Sequence, residues 1–554
     1  MAKPSAVVHA VARHWTSRIA LGVSLAIGGA GALPASALAS HSQLAIIQDA
    51  QDLVDPAGTL QQFRLLGANT IRVVVPWATI APDPSSRQRP SSFDATDPND
   101  YPDSAWAPYD ALVQTAAQDG ITVDLTVTGG APRWAESATP PKNNEGVQYL
   151  AWKPKAADYG QFVRAIGTRY SGHFTPAGAS SPLPAVHFWA IFNEPNFGND
   201  LGPQATHDST VFTGPIMYRQ LLDAGYSALR ATGHRHDTII WGEFAAQGQE
   251  PRRSPRRTGG LPGMFGQTRP LLFLRDLYCV DSSFRPMRGR AARASGCPTS
   301  GGGSRRFRRQ HPALFGATAV SDHPYPQGES PVSRAGNRVD YAKFPDLGNL
   351  EATLDRATRA YGSHKRFPIY NTEYGYITNP PHVGGHHYPS PSKAAWYINW
   401  AEYLSWRQPR VASYMQYLLT DPPQSTGVYS LFSSGLEFQD GTHKPTYDAY
   451  RLPVYMPRTS FPRRTRVEVW GAARPAPFMS RDGDGPQRVS IQLNGRTVRT
   501  ITVRSSTGYF DVHMRFPHGG TVRLAYTYPA SDAFLPVSTA GQTVYSRSFR
   551  IRVH

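Results

Sequence analysis

Between residues 41 and 452 the chain repeats one pattern eight times: a short apolar run, then a stretch with helical periodicity. Few architectures accept such a repeat, because each run must be buried on both faces by the helices that follow. The runs at 44–48, 71–75, 121–127, 186–192, 238–241, 317–321, 367–371 and 411–418 are predicted strands. Helical patterns follow them around Leu60, Phe63 and Leu66, then over 109–118, 157–170, 218–229, 271–278, 347–361 and 392–406, with a short one near Tyr447. Gly67 and Gly120 stand where the first two helices should stop. Eight units predict an α/β fold, a (β/α)8 TIM barrel with long loops. A doubly wound open sheet is the rival, but no G-x-G-x-x-G opens the first unit.

Composition changes after Pro453. Short alternating runs fill 461–554, and Asn494-Gly495 between two of them signals a tight hairpin. This predicts a small C-terminal antiparallel β-sandwich over 460–554, serving either carbohydrate binding or as an appendage packed on the barrel.

At the N-terminus, Lys3, Arg13 and Arg18 precede the apolar run 19–33, and Ala37-Leu38-Ala39 offers a small-residue cleavage site. Residues 1–39 are expected to be a signal peptide, with the mature protein secreted or at the cell surface; a retained N-terminal anchor is the alternative. No later stretch is long and apolar enough to span a bilayer. In an oxidising compartment the two cysteines, Cys279 and Cys297, are expected to form a disulfide that staples an irregular segment. A monomer is expected.

The formal net charge is +17, and it is concentrated. Residues 252–309 hold fourteen arginines, opposed only by Asp276 and Asp281. The rest of the mature chain is nearly neutral, so the charge does not argue for nucleic-acid binding, and no reader motif is present. The barrel is expected to span 40–453, with this Arg-rich insert at 247–310. Arg252 to Arg257 follow the fifth strand and fall on the strand C-terminal face; Arg285 to Arg309 precede the sixth and fall on the opposite one. Their Pro, Gly and Ser content predicts flexible loops of solvated charge; the alternative is a first cluster that touches an anionic substrate and a second that holds an anionic cell-surface polymer.

The chemistry is expected at two strand ends. Asn193-Glu194-Pro195 closes the fourth strand, and Glu373 follows the seventh. Strand C-termini are where a parallel barrel presents catalytic groups. Two carboxylates there suit glycosidic bond cleavage, in which one acid protonates the leaving oxygen and the other attacks the sugar or activates water. Arg72, alone among β-branched neighbours in the second strand, must be paired if buried. Glu243, after the fifth strand, is read as structural or binding rather than catalytic.

Around these residues the sequence resembles clan A glycoside hydrolases, notably families 5 and 39, cellulase-like enzymes. The resemblance covers 41–452. It implies Glu194 as acid/base, Glu373 as nucleophile, Asn193 as a partner of the sugar 2-hydroxyl, and Arg72 as the arginine that orients the nucleophile. His323-Pro324-Tyr325 resembles the clan's His-x-Tyr element, which puts Tyr325 beside the nucleophile. Two departures stand out: Thr128-Gly129-Gly130 follows the third strand where the clan often has a histidine, and no Trp follows the eighth, so Tyr417 or Trp134 is the candidate aromatic platform. Trp77 and Trp134, after strands two and three, either line a sugar subsite or pack in the core. His382, His386 and His387 lack metal-ligand spacing and read as a solvated loop. The expected function is that of a secreted retaining glycosidase acting on an oligo- or polysaccharide, with no metal or organic cofactor. The alternative is a non-catalytic surface protein that binds glycans through the Arg-rich insert and the β-sandwich.

Overall fold

Eight parallel strands form the centre of the protein: β1 (Leu44–Gln48), β2 (Thr70–Pro76), β3 (Thr122–Thr128), β4 (Phe188–Ile191), β5 (Thr238–Ala245), β6 (Ala319–His323), β7 (Ile369–Asn371) and β8 (Ser413–Tyr417). The computed structural model describes residues 40 and 42–554, apart from 141–149, 206–210, 250–265, 335–338, 383–386, 424–431 and 531–534. The expected signal segment, Arg252 to Arg257 and His386 lie outside the described residues. From β1 to β7 each strand pairs with its sequence neighbours, and β1 also pairs with β8. Backbone bonds from Ile369 N to Arg410 O (2.7 Å) and from Ala412 N to Ile369 O (2.8 Å) close the ring between β7 and β8. The fold is the (β/α)8 barrel that the repeat predicted.

Helices cover the outside. The first, Pro56–Leu66, and the next long one, Asp103–Asp119, both end at a glycine in the left-handed region, Gly67 (φ 75°) and Gly120 (φ 64°). Gly67 has a second duty: a Cβ there would meet the backbone of Arg474 at 2.1 Å. Inside the barrel, Phe188, Ala190, Ile240 and Ala319 form an apolar floor with Leu44 and Tyr370. Polar side chains lie above it.

After β8 the chain forms a three-stranded antiparallel sheet (Val454–Tyr455, Val467–Ala472, Tyr509–Met514) and a six-stranded one centred on Arg488–Leu493 and Gly520–Thr527. The second is antiparallel except where Ser460–Phe461 joins Phe549–Val553. Asn494 and Gly495, both at positive φ, make the expected hairpin between Leu493 and Arg496.

This unit is fastened to the barrel by buried polar groups. Arg474 pairs with Glu402 of helix Pro391–Trp406 and donates from Nε to Tyr450 O at 2.8 Å. Tyr509 donates its hydroxyl to the same Glu402 carboxylate at 2.7 Å. The Tyr509 ring stacks on Trp470, which packs against Tyr403 and Trp406.

The arginine-rich segment departs from expectation. Cys279 and Cys297 are disulfide-bonded as predicted. Beyond them, though, Gly289–Ala294 and Gly301–Gln310 are helices rather than loops. Ser300 caps the second, accepting from Gly303 N, which offsets its three leading glycines. Phe307 anchors it, stacked 4.6 Å from Tyr361, while Arg305, Arg306, Arg308 and Arg309 face solvent. A single buried side chain, Phe307, sufficed for the whole ten-residue helix, and composition alone hid it.

The Arg474–Glu402 pair should decide whether the two parts of the chain unfold together. Arg474→Met leaves Glu402 buried without its cation, which is expected to cost about 3–5 kcal/mol. Urea unfolding followed by tryptophan fluorescence measures it; an unchanged midpoint would contradict the assignment.

Candidate active site

The upper end of the barrel is organised around one guanidinium. Arg72 projects inward from β2 and is fully buried. It donates from Nε to Glu243 Oε1 (3.0 Å), from Nη1 to Gln48 Oε1 (2.6 Å) and Glu373 Oε1 (2.6 Å), and from Nη2 to Glu243 Oε2 (2.7 Å) and Asn193 Oδ1 (2.7 Å). These bonds use all five donors of the side chain.

The strands around Arg72 bend to meet it. In β5, a register shift between Trp241 and Phe244 and positive φ at Gly242 and Glu243 turn the Glu243 carboxylate inward. Glu243 also accepts from Thr126 Oγ1 at 3.2 Å and is buried, so it holds Arg72 and does not face substrate. At the end of β4, Phe192 (φ 72°) and Glu194 (φ 38°) are both left-handed. Two non-glycine residues so placed within one turn are strained, a condition concentrated at functional sites. The turn is pinned where Asn193 N donates to Thr128 Oγ1 at 2.9 Å.

Glu194 and Glu373 meet across the barrel mouth. His323 Nδ1 lies 3.0 Å from Glu194 Oε1 and 3.6 Å from Glu373 Oε2. Tyr325 donates its hydroxyl to Glu373 Oε2 at 3.0 Å. One oxygen from each carboxyl and a nitrogen of His323 all lie within 4.8 Å of one another. Both glutamates keep some exposure, 17% and 13% of their side chains, so a ligand can reach them.

The two acids differ in what surrounds them. Burial pushes Glu194 well above the usual carboxylate range, and the charges of Glu373 and Asp200 push it further. Burial also raises Glu373, but Arg72 and the Tyr325 hydroxyl pull it back. Burial, with the Arg72 charge, holds His323 well below its ordinary value, so the imidazole between them is neutral. The same three residues are the nearest thing to a metal site among the described residues. The fit is poor, because Arg72 fixes a positive charge against Glu373 and Tyr325 takes its other oxygen.

Sequence reasoning named Asn193, Glu194, Arg72, His323, Tyr325 and Glu373, and the structure brings them together. Tyr417 lies beside them, its ring 6.1 Å from Tyr325. Two expected sugar platforms are corrected. Trp77 is fully buried, stacked 5.7 Å from Phe162. Trp134 is only 3% exposed, packed edge-on against Trp77, with Nε1 given to Pro82 O. Trp77 packs against the helix Ala156–Arg169 through Tyr159 and Phe162, Trp134 packs between Trp77 and Phe93, and neither presents a face to substrate. His382 is also buried, against Tyr388, rather than solvated.

Three contributors carried no signal. Gln48 ends β1 as an ordinary polar residue. Asp200 lies in the loop after β4 and accepts from Asn193 Nδ2 at 2.6 Å. Phe432 lies 5.7 Å from both Tyr325 and Tyr417.

No protein-family model and no curated protein matches the chain. Among solved structures it is similar to a calcium-binding mutant of Bacteroides uniformis β-glucuronidase 2, at 11% identity and a TM-score of 0.37, over 93% of this chain and 45% of that one. The chain thus spans under half the length of that glucuronidase. It is also similar to a family 39 glycoside hydrolase from Bacteroides cellulosilyticus WH2, at 13% identity and a TM-score of 0.43, over 93% of this chain and 82% of that one. A glucosidase from Croceicoccus marinus matches at 13% identity and a TM-score of 0.43, over 87% of this chain and 94% of that one.

Asp200 sets a pH dependence. Burial raises its pKa from 3.8 to about 7. The folded chain therefore holds this proton more tightly than the unfolded chain. The stability it contributes is complete below 3.8 and is lost as pH rises towards about 7. Urea midpoints taken across that window should fall with pH, and Asp200→Asn should make the fall shallower.

Proposed function

We propose that the chain is a secreted retaining glycoside hydrolase. Residues 40–453 carry catalysis and 460–554 are an accessory unit. The observation that carries the reading is the carboxylate pair itself: two glutamates on facing strand ends, with ligand oxygens inside 4.8 Å, one poised to hold a proton and the other bound to a cation. Retaining glycosidases need their carboxyl groups about 5–5.5 Å apart; inverting ones need roughly 6.5–9.5 Å, to admit a water.

The steps follow from the surroundings. Glu373, held by Arg72 and Tyr325, attacks the anomeric carbon while the glycosidic C–O bond breaks and Glu194 gives its proton to the departing oxygen. Esterification removes the Glu373 charge, one of the causes that held the Glu194 pKa up. Glu194, now a carboxylate, becomes the stronger base. It takes a proton from water, the water oxygen attacks the anomeric carbon, and Glu373 leaves as carboxylate. Asn193 gives one amide N–H to Asp200 and accepts from Arg72, which leaves its second N–H to donate to a sugar hydroxyl. Polysaccharide degradation is the natural use of such an exported enzyme.

Hydrolysis of a panel of aryl glycosides, with the product anomer read by proton NMR, tests the reading; an inverted first product would refute retention. Glu373→Ala should abolish turnover with the fold intact. Glu194→Ala should lose about 10²–10⁴-fold on substrates with poor leaving groups, and far less on those with acidic phenols, which need no protonation. Because activity requires protonated Glu194, the alkaline limb of the pH profile belongs to it, and Glu194→Gln should remove that limb.

A further inference from the structure

On the outer wall, where helix Pro391–Trp406 meets the C-terminal strands, lies a pocket of about 250 Å³ lined by Trp396, Tyr455, Met456, Thr459, Arg547 and Phe549. None of these residues belongs to the hydrogen-bond network of Glu194 and Glu373. Trp396 is the exposed tryptophan among the described residues, at 40%. Its ring is not loose. It stacks 5.3 Å from Trp400, which lies nearly parallel to Tyr455 at 6.2 Å, and Tyr455 stacks 4.9 Å from Tyr403. A ladder of rings running back to the buried seam thus holds one aromatic face at the pocket. Such a face is fixed before any ligand arrives, so little order is lost on binding. The negative π-face of a tryptophan suits the weakly positive C–H edge of a sugar ring.

The pocket also holds a charge with no counterion. Arg547 donates from Nε to Asn399 Oδ1 at 2.7 Å and from Nη2 to Val454 O at 2.8 Å, both neutral acceptors. Among the described residues no carboxylate pairs with it. Burial lowers its pKa to about 10, which leaves it cationic at neutral pH. Nη1 takes part in neither bond. A half-buried guanidinium at an aromatic pocket, without an acid of its own, complements an anionic ligand.

We propose that this pocket is a second, non-catalytic glycan site that seats a uronic acid unit of a polysaccharide, with the sugar ring on Trp396 and the carboxylate toward Arg547. The site goes beyond the catalytic reading and does not depend on it.

The test is affinity electrophoresis of the full chain carrying Glu373→Ala, in gels containing polygalacturonate or a neutral glucan, so that turnover does not consume the polymer. Retardation by polygalacturonate, weakened by added salt, is expected. Adding Trp396→Ala should weaken retention roughly tenfold, the scale of an aromatic anchor, with the thermal midpoint unchanged. Trp396→Phe, which keeps a smaller ring, should recover part of it. Equal retardation by the neutral glucan would overturn the charge assignment. Retention untouched by Trp396→Ala would overturn the site and assign binding to the exposed arginines of Gly301–Gln310. No retardation at all would overturn it too.

Discussion

Arg72 is the interaction on which the upper barrel depends. A guanidinium buried in a parallel barrel is stable only if its charge and every N–H are met, since desolvating an ion without partners is prohibitive. Here Glu243 takes a bidentate grip on one edge, and Gln48, Asn193 and Glu373 take the rest. Lysine has three donors on a point charge and no planar fork, so it could not hold β1, β4, β5 and β7 in one register. The bulge in β5 and the left-handed turn after β4 are the backbone's response: both bring an acceptor to Arg72 at a strain that the network sustains.

That network also sets the two acids apart. Arg72 and Tyr325 occupy the two oxygens of Glu373, and both bonds favour a carboxylate. Among the described residues Glu194 is hydrogen-bonded only to a neutral imidazole, with two more carboxyl groups near, and is pushed toward the protonated form. The acids are alike as residues, and their neighbours separate them. Below them, Asp124 is buried with no hydrogen-bond partner for either oxygen among the described residues, and burial beside Glu243 raises its pKa well above the ordinary value.

What was legible in the chain follows from how local each constraint is. Alternation of apolar runs and helical periodicity is a local consequence of burying both faces of a sheet, and it placed eight strands and the two glutamates. Arg72 was readable because a cation amid Ile71, Val73, Val74 and Val75 demands a partner. Glu243 was readable as a bystander to the chemistry, though not as the residue that grips Arg72. Asp200 and Gln48 were not, because nothing about a polar residue in a loop or at a strand end says what it will meet across the barrel. Trp77 and Trp134 show the opposite failure. An aromatic just past a strand end satisfies equally a sugar platform and a core plug, and only packing decides: Phe162 against Trp77, and Phe93 against Trp134. The arginine segment was misread because a single buried Phe307 can seat a helix whose other faces are solvated.

The C-terminal sheets matter to the site through the same kind of contact that builds it. Glu402, inside helix Pro391–Trp406, is a buried acid that the barrel cannot satisfy alone: its cation, Arg474, and its phenol donor, Tyr509, both come from beyond residue 453. The barrel wall therefore carries an uncompensated charge unless those strands are docked. That helix follows β7, whose end presents Glu373, and its outer surface carries Trp396. Docking thus supports the wall behind the proposed nucleophile and, by stacking Trp400 on Tyr455, sets the ring of the second pocket. One buried ion pair at the seam links the two surfaces, so the C-terminal unit is better understood as part of the barrel's support than as a separable attachment.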